Sequence, residues 1–130
     1  MFPDSLQRSI QARDFAPAPN HARLPWYVLR RVSEYIVRNL EEPLTLGALA
    51  STAALSVTHF SRCFRNSTGM TPHVYVMHQR LCEAEFLLAT SDLRLADIAL
   101  RTSFSDQSHF TRRFQQRAGL TPSVFRSLYR

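Results

Sequence analysis

The sequence predicts an all-α protein. Three observations carry that expectation. Apolar residues recur at helical spacing from residue 25 onward, no stretch reads convincingly as a strand, and one segment of helix, tight turn, helix occurs twice. Seven helices are expected, arranged as two helix-turn-helix subdomains of homeodomain-like three-helix bundles joined by a long linker helix.

Residues 1–24 read as a flexible tail or linker, with APAPN at Ala16 to Asn20 and no sustained period. The structured domain is expected over 25–130. Pro25 stands where a first-turn proline belongs, ahead of WYVLRRVSEYIVRNL. There Leu29, Val32, Ile36 and Leu40 recur on one helical face, Glu34 and Arg38 are spaced to pair, and Pro43 ends the helix.

From Leu46 the chain repeats itself. LGALASTAALS (Leu46 to Ser56) matches LADIALRTSFS (Leu95 to Ser105) at an offset of 49. After one inserted residue, HFSRCFRNSTGMTPHVY (His59 to Tyr75) matches HFTRRFQQRAGLTPSVF (His109 to Phe125) at an offset of 50. The chain has 3 glycines, and two of them, Gly69 and Gly119, fall at equivalent places. In each copy Leu46 or its equivalent Leu95 opens a short first helix, Leu46, Leu49, Ala50 and Ala53 give its apolar face in the first copy, and small Ala50 and Ala99 let the second helix approach closely. Ser56 and Ser105 are suited to cap that second helix. Gly69 and Gly119 then follow its end, where a left-handed residue is wanted, and Thr-Pro starts the next helix. The helix-turn-helix segments are placed at about 45–67 and 94–117, and the terminal helix at about 121–129. Between the copies, Val74, Met77, Leu81, Ala84 and Leu88 space out one face of a linker helix over about 71–90.

The charge points to a partner. Lys+Arg number 16 against 10 Asp+Glu, for a net charge of +6, and every basic residue is arginine. Arginine offers a planar fork suited to phosphates and guanine edges. In FSDQSHFTRRF (Phe104 to Phe114), Phe110 and Phe114 mark a buried side, as Phe60 and Phe64 do in the first copy. The opposite side carries Val57, Thr58, Ser61, Arg62 and Arg65 in one copy. In the other it carries Asp106, Gln107, Ser108, Thr111, Arg112 and Gln115. These are side chains that read base edges in a major groove.

Residues 25–130 resemble the DNA-binding domain of the AraC/XylS family of bacterial transcription regulators. The resemblance rests on RLCEA (Arg80 to Ala84), LADIA (Leu95 to Ala99), FSDQSHFTRRF and GLTPSVFR (Gly119 to Arg126), in the family's order and spacing. It implies two recognition helices entering successive major grooves of duplex DNA, and a regulator that activates by contacting RNA polymerase. It places Val57, Thr58, Ser61 and Arg62 at base-reading positions of the first recognition helix. Gln107, Ser108, His109, Thr111 and Arg112 take those of the second. The family's turn usually has glycine where this chain has Ser103 and, in the first copy, Ala54. A positive φ there would strain both.

Other chemistry is not expected. His59 and Cys63 share a helical face, but only the histidine recurs, as His109, and two further metal ligands with suitable spacing are absent. No catalytic triad, paired carboxylates or glycine-rich phosphate loop stands out, nor does the cysteine cluster of a DNA-repair relative. No enzyme activity, metal or cofactor is expected. Cys63 and Cys82 read as reduced thiols. With no signal peptide or membrane-length apolar run, a cytoplasmic location is expected. Residues 1–24 are too short for a sensor, so the chain is read as a stand-alone regulator or a fragment lacking its sensor. Without a dimerisation domain, a monomer is expected on two half-sites about 34 Å apart. The competing reading is a helical protein-interaction module that keeps the fold without specific DNA binding.

Overall fold

The computed structural model describes residues 22–130. Among them are seven helices and no strand: α1 (Trp26–Arg38), α2 (Leu46–Thr52), α3 (Val57–Thr68), α4 (Pro72–Thr90), α5 (Leu95–Arg101), α6 (Gln107–Ala118) and α7 (Pro122–Tyr129). The expected tail lies outside the described residues except at its end. There Leu24 is 6% exposed and its amide donates to Ser67 Oγ at 2.9 Å, so ordered structure begins before Pro25.

The chain divides into two compact units. Residues 22–38 and 44–76 form the first; residues 39–43 and 77–130 form the second. In the first, Leu29, Val32 and Ile36 of α1, Leu49 and Ala50 of α2, and Phe60 and Phe64 of α3 are buried together with Tyr75. Phe64 meets Tyr75 edge-on at 5.2 Å. The second unit has the corresponding core of Leu81, Ala84, Leu88, Ile98, Ala99, Phe104, Phe110 and Phe114, with Phe125 packed against it. Burying one such aromatic side chain contributes about 1.5–3 kcal/mol, so each pair of phenylalanines is a main tie between its helix, α3 or α6, and its core.

Five local expectations are corrected. Val74 is 51% exposed, and Tyr75 and Val76 are buried instead, because α4 turns a different side inward where its first residues serve the first unit. Leu46 is 39% exposed, leaving Leu49, Ala50 and Ala53 as the inner face of α2. Glu34 pairs with Arg30, at 3.4 Å, rather than with Arg38, and α1 ends at Arg38, five residues before Pro43. Lastly, α6 is capped by Asp106, whose carboxylate accepts from the His109 amide at 2.7 Å, and not by Ser105.

The turns between α2 and α3 and between α5 and α6 close in the same way. The Ala54 amide donates to Ser51 O and the Leu55 amide to Ala50 O; the Ser103 amide donates to Leu100 O and the Phe104 amide to Ala99 O. This is the paired bonding of a Schellman helix end, which places the residue after the cap in the left-handed region. Ala54 and Ser103 have φ of 57° and 59°, the strain expected where glycine is replaced. Gly69 and Gly119, at φ 80° and 77°, close α3 and α6 without that cost.

Candidate nucleic-acid interface

In the first unit, Ser56 caps α3 by accepting from the His59 amide at 3.2 Å, and the two phenylalanines pin the helix from below. Its outer face presents Val57, Thr58, Arg62 and Arg65 as exposed side chains, with Ser61 half-buried between them. Cys63 lies beneath, where burial pushes its thiol pKa up against the opposing pull of Arg62.

In the second unit, Gln107, Ser108, Thr111 and Arg112 come together with Gln115 and Gln116 around one open concavity on α6. Gln116 lies outside the residues expected from the sequence, and its i,i+4 relation to Arg112 is the signal that marks it. His109 stands apart from this group. Its ring packs edge-on against Phe104 at 5.4 Å, with Nδ1 3.3 Å from Ser105 Oγ, so it supports the turn that leads into α6. Asp106 is likewise occupied as the cap.

The arginines fall into two groups. Arg62, Arg65, Arg112 and Arg113 are exposed, and no ion pair joins them to an acid among the described residues. Others are engaged within their own unit. Arg80 donates to the carbonyls of Leu40 and Glu42, and Arg126 donates to those of Leu88, Ser91 and Leu93. A helix presenting unpaired cations beside hydroxyl and amide side chains can donate to phosphates and to base edges. Among the described residues, no group of three or more His, Cys, Asp or Glu is placed to hold a metal ion. Nor is any described helix long and apolar enough to cross a membrane.

A family model described as "Helix-turn-helix domain" matches residues 49–127, more than half of the chain. The chain belongs to this family, in its AraC-type branch. Among its relatives it is 32% identical over 104 residues to the HTH-type transcriptional activator RhaR of Salmonella schwarzengrund, covering 80% of this chain and 36% of that protein. The chain spans 36% of RhaR's length and 64% of that of the HTH-type transcriptional activator AarP of Providencia stuartii. Among solved structures, an AraC-type transcriptional regulator from Chromobacterium violaceum superposes with a TM-score of 0.75 at 26% identity, over 78% of this chain and 91% of that one. The DNA-binding domain of AdpA, a global transcriptional factor solved in complex with a target DNA, gives 0.73 at 31% identity, over 78% and 92%.

Proposed function

We propose that this AraC-type chain binds duplex DNA sequence-specifically as a transcription regulator, in the activating sense, with α3 and α6 each entering a major groove. The observation that carries the reading is the repeated pair Arg62 and Arg112. Each is exposed at the same place on a helix anchored by two buried phenylalanines, with no ion pair to an acid among the described residues. The DNA complex of the AdpA domain and the activator names of RhaR and AarP support it. In this reading Val57, Thr58, Ser61, Arg62 and Arg65 face one half-site, and Gln107, Ser108, Thr111 and Arg112, joined by Gln116, face the other. His109 acts from beneath.

The reading extends to a non-enzymatic protein that acts in the cytoplasm, binds as a monomer and contacts RNA polymerase once on DNA. Selection of bound duplexes from a random library, followed by salt titration on the winner, tests it. A bipartite motif whose binding falls steeply with salt is the expected outcome. Salt-steep binding with no motif would leave only electrostatic affinity, and absence of binding would bring forward a protein-interaction role.

A further inference from the structure

Arg117 belongs to the last turn of α6, five residues beyond Arg112, yet its guanidinium is turned onto α4. Nη1 lies 2.9 Å from His78 Nδ1, and Nη2 lies 3.2 Å from Cys82 Sγ and 3.5 Å from Glu85 Oε1. The Arg117 and Glu85 side chains each keep only 29% of their surface exposed. A guanidinium has no acceptor, so His78 Nδ1 must supply the lone pair and the ring is neutral. Burial, then Arg117 itself, lowers the His78 pKa and favours that state. One cation thus engages three side chains that α4 presents at successive turns.

The internal repeat gives an independent parallel. The first-unit residue equivalent to Arg117 is Ser67, which is 3% exposed and accepts from the Leu24 amide at 2.9 Å. Beside it, Asn66 donates to Ala22 O at 3.0 Å. The two copies use different chemistry at one position for one purpose, tying the far end of a recognition helix to the segment that leads its bundle.

We propose that Arg117 is a positioning residue for DNA recognition: it clasps the end of α6 to His78, Cys82 and Glu85 of α4 and so holds Gln107, Ser108, Thr111 and Arg112 in register with the bases. This rests on the DNA-binding reading above. Arg117 is therefore unlike Arg112, because its charge is committed within the protein.

The test compares wild type, Arg117→Gln, Arg117→Lys and His78→Ala on the selected operator and on a scrambled duplex across a salt series. Amide hydrogen exchange of residues 113–118 is followed in the free proteins. Arg117→Gln should weaken operator binding about tenfold, the scale of one lost base contact, and barely affect the scrambled duplex. Its salt slope should stay that of wild type, base preference should flatten in one half-site alone, and exchange at 113–118 should quicken. Arg117→Lys, still able to reach one partner, should recover part of the loss. His78→Ala should reproduce the loss of specificity without changing the protein's charge at pH 7.

Equal weakening on both duplexes, with a salt slope shallower by about one unit, would overturn the proposal and make Arg117 a phosphate contact. Unchanged affinity and exchange in Arg117→Gln would overturn it too. Should wild type select no motif at all, the DNA reading itself fails, and the exchange measurement still decides whether the clasp exists.

Discussion

Arg126 directs its whole guanidinium at main-chain carbonyls, 2.7 Å from Leu93 O and 3.1 Å from both Leu88 O and Ser91 O. Charged hydrogen bonds of this kind contribute about 1.5–3 kcal/mol, enough to fix the exit of α4 into α5. Single residues with such duties cannot be told from DNA-facing arginines by type. His78 shows the same dependence on surroundings. Burial and Arg117 lower its pKa from the ordinary 6.5, with Glu85 opposing, so the unfolded chain binds the proton more readily than the folded one. Stability therefore rises with pH across this interval and is lost as pH falls from about 6.5 through the folded-state pKa. Melting temperatures measured between pH 7.5 and 5 should decline, and His78→Gln should decline less than wild type. Parallel curves for the two proteins would show that His78 carries none of the effect.

At the scale of the element, the inserted residue between the two repeats has a structural meaning. In the first copy the cap Ser56 follows Leu55 directly; in the second, Ser105 intervenes between Phe104 and the cap Asp106. The longer turn delivers an aspartate, whose negative charge suits the N-terminus of α6 better than a hydroxyl. Asp106→Ala should cost about 1 kcal/mol in urea unfolding, and Ser105→Ala a few tenths at most. The reverse ranking would restore Ser105 as the cap. The strained turns give a prediction of opposite sign. Ser103→Gly, at φ 59°, should raise stability by about 0.5–1 kcal/mol, because relief of the left-handed strain exceeds the added freedom of the unfolded chain. A drop in melting temperature for Ser103→Gly would mean that the serine side chain itself supports the turn.

For the whole molecule, the consequence of duplication is two small cores in place of one, each binding its own recognition helix through a pair of phenylalanines. In the proposed DNA-binding reading the copies are not equal. The first offers Val57, Thr58 and Ser61 around Arg62, whereas the second offers the three amide side chains of Gln107, Gln115 and Gln116 around Arg112. On the selected operator, Arg112→Ala should cost about 1–3 kcal/mol and relax one base pair of one half-site; Arg62→Ala should do the same in the other half. Both residues are exposed, so melting temperatures should hold. Uniform weakening on all sequences would assign these arginines to phosphates.

Whereas the left-handed turns at 54 and 103 are suggested only by the family resemblance, helix existence, the repeat, the left-handed glycines at 69 and 119 and the Thr-Pro helix starts are all legible along the chain. They depend on contacts within one or two helical turns, and such contacts leave a spacing. Misplaced features had a different origin. A uniform period places Val74 inward because it hides the change of buried side within α4, and the pattern offers Ser105 as the cap because the insertion is not located to a single residue. The division of the arginines was beyond any local pattern. Arg80, Arg117 and Arg126 find their partners at separations of 32 to 40 residues. Whether a cation faces solvent or its own protein is set by what the folded chain brings beside it, and no spacing in the sequence records that.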